Sequence, residues 1–304
     1  MLDRLAGNAA LKAELGAALR TGRLPHAVLL VGEAGCGAGF AARCLAADYL
    51  YPAGGPHAEA VLKGADTECL VLRGEGASGQ IPVKRVREMR EAIQHSALST
   101  DAAGRVLFIY GAQNLNGSSA NAMLKIIEEP PEGVLFLLTA TSAATVLPTI
   151  RSRCAAYTIA PVPTEECAAL LQAHGLPAPL ARELAFVYEG HVGTALRAQQ
   201  DAAARTALAQ AKELCGYAAQ NDTYRALALL TKYERDREGC LALLWQLDQL
   251  CSAVLRRPDY GAACGGLRAD DAARILRASG ETRRTVTANG NLRLAVALLA
   301  AQIA

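Results

Sequence analysis

The pattern of apolar and polar positions changes character roughly halfway along the 304-residue chain. The first half carries uninterrupted apolar runs: AVLLVG at 27–32, CLVLRG at 69–74, VLFIY at 106–110, VLFLLTA at 134–140 and AAYTIA at 155–160. Runs without polar alternation mark strands buried on both faces, hence a parallel sheet covered by helices. Helical spacing lies between them. In SSANAMLKIIEEPP, Ala120, Met123, Leu124 and Ile127 fall at i, i+3, i+4 and i+7, with Ser118 placed to cap the start and Pro130 and Pro131 to end it.

After APVPTEE the continuous runs stop. Thr164 is placed to cap a helix that Gly175 closes, and LPAPLARELAFVYEG and VGTALRAQQ read as two more. Beyond them only the helical period remains, in TYRALALLTKYE, CLALLWQLDQLCSAVLRR, ADDAARILRASGE and NLRLAVALLAAQIA, interrupted at RPDYGAACGG. Leu241, Leu244, Trp245 and Leu247 are the expected core of that bundle. The pattern therefore predicts an α/β domain over 1–160, a small three-helix domain over 161–204 and an all-α domain over 205–304.

Composition narrows the class. With 52% apolar and 20% charged residues the chain reads as globular, and it holds no run long enough to span a bilayer. The opening MLDRLAGNAALKAELGAALR is charged and amphipathic, unlike a signal peptide, so a cytoplasmic protein with no membrane partner is expected. A net charge of +2 excludes a generally basic nucleic-acid glove and leaves room for a local patch. Lys84, Arg85, Arg87 and Arg90 are the densest basic run and read as a solvated helix face. Residues 99–105 and the pair Arg283 and Arg284 are candidate DNA contacts, with solvated charge the favoured reading of each. Nine cysteines without a C-x-x-C pair suit a reducing compartment and small core residues, and supply no zinc ligand set.

The candidate chemistry starts at LLVGEAGCGAGF, where a strand meets a glycine-rich turn and a helix. A phosphate loop needs G-x-x-x-x-G-K-[ST]: glycines let backbone N–H groups converge on phosphate, the lysine neutralises it, and the hydroxyl holds Mg²⁺. Gly32, Gly35 and Gly37 keep the turn, but Ala38 replaces the lysine and Gly39 the hydroxyl. The same residues offer a rival. Gly37, Gly39 and Ala42 fit G-x-G-x-x-A, the dinucleotide fingerprint, although Glu59 does not end the second strand that this reading requires.

Further along, RLPHAVLLVG, NAMLKIIEEPPEG, FLLTAT and Ser152-Arg153-Cys154 occur in the order and spacing of the bacterial clamp-loader branch of the AAA+ ATPases, which residues 1–205 resemble closely. NLRLAVALL resembles the end of that branch's helical collar. The resemblance implies an α/β AAA+ domain with a parallel sheet, a three-helix lid and an all-α C-terminal collar. Against the active pattern, Tyr110 and Gly111 stand for the acidic pair that handles Mg²⁺ and water, Thr139 and Thr141 flank the polar position near Ala140, and Gly193 replaces a phosphate-sensing arginine. Within the branch the chain is similar to the subunit whose nucleotide site is dead.

That resemblance implies no cofactor and no metal on this chain, and an arginine finger at Arg153, within the Ser152 and Cys154 motif, acting on a neighbour's ATP. Arg151 is the bland rival. The implied partners are gamma/tau and delta subunits in a hetero-pentameric ring, with the sliding clamp and primer–template DNA engaged through the complex. An active gamma/tau-type ATPase would need a lysine at 38 and acidic residues near 110, and a Rossmann-type NAD(P) oxidoreductase would leave the later motifs unexplained. Branch members carry a four-cysteine zinc module where this chain has LYPAGGPHAEAVLKGADTE, and Cys44 and Cys69 are too isolated to replace it.

Overall fold

The five apolar runs form five parallel strands, β1 (Ala27–Val31), β2 (Cys69–Arg73), β3 (Arg105–Tyr110), β4 (Val134–Ala140) and β5 (Ala155–Thr158), in the order β2-β3-β4-β1-β5. The computed structural model describes residues 1–76, 78–93 and 101–303. Alternate strand residues feed two cores. Val28, Leu30, Val106, Phe108, Leu135 and Leu137 enter one, while Leu29, Leu107, Ile109, Phe136 and Leu138 enter the other. Both faces of the sheet are thus dry, which is why the runs carry no alternating polar positions. β1 lies between the central strand β4 and the edge strand β5, and its tip opens on the sheet's carboxyl edge, where ligands of open α/β sheets bind.

Two compact units divide the chain: Met1–Leu170 with Gly190–Gly193, and Leu171–Glu189 with Thr194–Ala304. The first holds the sheet with α1 (Ala9–Arg20), α2 (Ala38–Leu50), α3 (Pro56–Lys63), α4 (Val83–Ile93), α5 (Gly117–Glu128) and α6 (Pro148–Arg151). The cap of α5 differs from the one read in the sequence. Asn116, not Ser118, is the N-cap: its side chain accepts from the Ser119 N–H at 2.9 Å, and Ser119 Oγ accepts from the Asn116 N–H at 2.9 Å. Asn116 has the extended backbone that a cap requires, so the helix starts before Ser118. The interval LYPAGGPHAEAVLKGADTE holds α3. It buries Ala58 and Val61 in the α2 core, and the Tyr51 hydroxyl donates to Asp66 at 3.0 Å nearby.

Only helices occupy the rest of the described chain: α7 (Thr164–Ala173), α8 (Ala178–Val187), α9 (Val192–Gln200), α10 (Ala202–Ala219), α11 (Thr223–Leu230), α12 (Arg237–Arg256), α13 (Ala269–Thr287) and α14 (Leu292–Ile303). Gly175, at φ +90°, closes α7 in a left-handed turn, with Leu176 N bonded to Leu171 O at 3.1 Å. In α12, Cys240, Leu243, Leu244, Leu247, Leu250, Cys251 and Val254 make the buried stripe. Leu244 and Leu247 lie in it as expected, whereas Leu241 is half-buried. Trp245 is 38% exposed and not core. One residue past Leu244 turns it about 100° off the stripe, and it stacks on the Tyr188 ring at 5.8 Å with its other side open.

Candidate functional site: a glycine-rich turn and an exposed arginine

A close contact at Gly32 and left-handed backbone at Gly35 and Gly37 require the glycines of this turn. Gly32 N donates to Ala140 O at 3.0 Å, and a Cβ on Gly32 would lie 2.8 Å from Ile159 O. Gly35 and Gly37 adopt φ of +93° and +98°, left-handed values that disfavour any side chain, and they turn the chain into α2. Ala38 and Gly39 then open α2 with neither a charge nor a hydroxyl.

Tyr110 packs beside Gly39 at the start of α2. A Cβ on Gly39 would meet the Tyr110 ring at 3.5 Å, and that ring stacks on Phe108 at 5.5 Å with planes 4° apart. Burial raises the Tyr110 hydroxyl above its usual range, while the Arg43 guanidinium beside it pulls the other way. Gly111, at φ +78°, donates its N–H to Thr139 Oγ1 at 3.2 Å. The Thr139 hydroxyl is therefore committed to the backbone, and Thr141 is exposed. Gly111 thus holds a left-handed backbone conformation that disfavours any side chain, a carboxylate included.

The remaining side of the cradle is closed by residues 191–193. Gly193 N donates to Gly35 O at 2.9 Å, and a Cβ at 193 would sit 3.1 Å from that same oxygen. His191 Nε2 lies 3.2 Å from Glu33 Oε2. An arginine at 193 would have to push its own Cβ against the loop it senses.

Arg153 lies at the exposed end of the motif that follows α6. Its Nε and Nη2 both reach Glu128 Oε1 at 2.6 Å, and its Nη1 donates to Thr149 O at 3.1 Å and Ser152 Oγ at 3.3 Å. Cys154 packs against the core beneath the sheet, where burial pushes its thiol up to about 11. The motif therefore has an anchored end at Cys154 and an outward cation at Arg153. Arg151, the rival, donates back to Ala143 O at 3.2 Å.

A second feature was hidden in the basic run of α4. Lys84 and Arg85 pair with Glu88, and Arg85 also with Glu75, which matches the solvated-face reading. Arg87 and Arg90 do not. With Lys125, Ser118 and Asn121 of α5 they line a cavity of about 270 Å³ over Val86 and Ile126. Among the described residues none of these three cations has a carboxylate partner. The α5 side could be found in the sequence only by placing Ser118, Asn121 and Lys125 on one helix face. Residues 99 and 100 of the stretch 99–105 lie outside the described residues, and Arg283 is paired with Asp248.

The sheet order excludes the dinucleotide rival, because β1 pairs with β4 and β5, and β2 lies at the far edge. What remains is an AAA+ fold in the clamp-loader and RuvB class, and the comparisons agree with it. A family model described as "DNA polymerase III, delta subunit" matches residues 7–163, and the chain belongs to that family. It is 35% identical over 170 residues to the DNA polymerase III subunit gamma/tau of Mycobacterium tuberculosis, covering 52% of this chain and 28% of that protein. It is 40% identical over 88 residues to the DNA polymerase III subunit delta' of Haemophilus influenzae, covering 29% of this chain and 26% of that protein. The chain thus spans under a third of these curated relatives. Among solved structures, a DNA polymerase III gamma subunit-related protein from Thermotoga maritima has the same fold, with a TM-score of 0.54 at 16% identity over 95% of this chain and 98% of that one.

Proposed function

We propose that this chain is the non-hydrolysing delta-prime subunit of a bacterial clamp loader, and that it lends Arg153 to ATP bound on a neighbouring gamma/tau subunit. The carrying observation is a contrast within one unit. Tyr110 and Gly193 occupy the surroundings of the phosphate loop, while Arg153 stands exposed at the rim with its backbone anchored. The neighbour supplies lysine, Mg²⁺ and water-orienting carboxylates; this chain supplies one cation to the charge that builds on the transferred phosphoryl group. Such a contribution in trans accelerates turnover by roughly 10³–10⁵. The gamma/tau-type alternative has no support at Ala38, Tyr110 or Gly111.

The remaining assignments belong to the same proposal. Residues 161–204 act as the lid and 205–304 as the collar that holds gamma/tau and delta in a five-membered ring. The collar offers apolar helix faces for this: Tyr224 on α11 and Leu294 and Leu298 on α14 are exposed by 82%, 57% and 53%. Arg87, Arg90 and Lys125 serve as phosphate contacts to primer–template DNA, and the complex works in the cytoplasm. Among the described residues no helix is long and apolar enough to cross a membrane.

The test is a ring reconstituted with its gamma/tau and delta partners and carrying Arg153→Ala. DNA-stimulated ATP turnover and clamp loading should both fall while the ring still assembles. Unchanged turnover and loading would remove the finger assignment.

A further inference from the structure

Resting on the finger reading, we infer that Glu128 is a positioning residue for Arg153, orienting its guanidinium for the neighbour's phosphate. An arginine finger stabilises charge only when its planar fork is already aimed, because an exposed arginine otherwise samples many rotamers. In this chain the aim is set from two sides. Glu128 Oε1 holds Nε and Nη2 at 2.6 Å, and Thr149 O and Ser152 Oγ hold Nη1 at 3.1 and 3.3 Å. The plane of the guanidinium is thereby fixed, and these contacts leave one N–H, on Nη2, for a phosphate oxygen.

The two halves of this clamp stand on rigid ground. Glu128 is the last residue of α5, whose Ile126 and Ile127 are buried, and α6 is held by buried Ile150 in the same core. Glu128 is also misplaced for the stability of its own helix. A carboxylate at a helix C-terminus opposes the helix dipole, and the adjoining cation offsets that penalty. Both members are half-exposed, at 40% and 47%, so the pair contributes little to folding. Its geometric effect on the one cation offered to a partner is the larger consequence.

The experiment uses the reconstituted ring with the gamma/tau and delta partners and five versions of this chain: wild type, Glu128→Gln, Glu128→Asp, Arg153→Ala and the Glu128→Gln, Arg153→Ala double variant. The quantity read is the finger-dependent turnover, the difference in DNA-stimulated ATP hydrolysis between wild type and Arg153→Ala. Glu128→Gln should lower its kcat by about tenfold, within the hundredfold that an ångström of misplacement costs, with KM for ATP and ring assembly unchanged. Glu128→Asp keeps the charge and should recover part of the rate. The double variant should match Arg153→Ala alone, which a merely structural role for Glu128 would not produce. Wild-type turnover in Glu128→Gln, increased turnover, or a further loss in the double variant overturns the inference while leaving the finger intact. Should Arg153→Ala itself leave turnover unchanged, both readings fall.

Discussion

At Gly39 a single side chain decides whether the cradle has room for chemistry. A methyl there meets the Tyr110 ring at 3.5 and 3.9 Å, ordinary contact distances, and Gly39 lies in the first turn of α2 without a left-handed φ. Gly39→Ala should therefore stabilise the chain by about 0.5–1 kcal/mol through the entropy of the unfolded state. Gly39→Thr, the residue an active loop would carry, adds atoms beyond the methyl and should cost about 1–3 kcal/mol by overpacking, relieved when Tyr110→Ala is added. Urea midpoints of the three variants check the order. Ala38, Gly39 and Gly111 were legible as losses because a motif fixes what each position ought to hold. The replacement was not, since Tyr110 reaches Gly39, and Gly193 reaches Gly35, only after distant segments meet. Arg43 gave no signal at all.

At the scale of elements, the continuous apolar runs were sufficient for the parallel sheet, because two dry faces leave no polar positions to read. Helix ends and faces were harder. Ser118 has the chemistry of a cap, but Asn116 with Ser119 satisfies two N–H groups at once and takes the place. Asn116→Ala should lower stability by about 1 kcal/mol, and Ser118→Ala by much less, in the same urea assay. In α12 the aromatic ring was weighed above the angle it occupies. Leu244→Ala removes a fully buried side chain and should cost about 2–5 kcal/mol, whereas Trp245→Ala loses a one-sided stack and should cost clearly less. Equal losses would return Trp245 to the core.

For the whole molecule, balanced charge concealed a local patch, because Glu88 and Glu75 pair with Lys84 and Arg85 while, among the described residues, no carboxylate pairs with Arg87 or Arg90. If these two and Lys125 meet DNA phosphates in the assembled ring, replacing each by glutamine should reduce the salt dependence of DNA binding by about one counterion. Binding titrations across a salt series would show it, and an unchanged slope would free the groove of that role. Alkaline stability gives an independent check on burial. The Cys154 thiol is raised from 9.0 to about 11 and that of Cys69 from 9.0 to about 12, both chiefly by burial. The unfolded chain releases these protons first, so stability is full below the ordinary thiol range and falls as pH climbs through the raised values. The urea midpoint should drop between about pH 9 and about pH 12; a flat profile would mean that the thiols are accessible.

The most direct test compares ATP turnover by this chain alone, by the proposed gamma/tau and delta partners without it, and by the reconstituted ring on primed DNA. The account predicts no hydrolysis by the isolated chain and a large gain on its addition to the partners, a gain absent with Arg153→Ala. Turnover by the isolated chain at the rate of a motor subunit, or an equal gain from the Arg153→Ala chain, would contradict it.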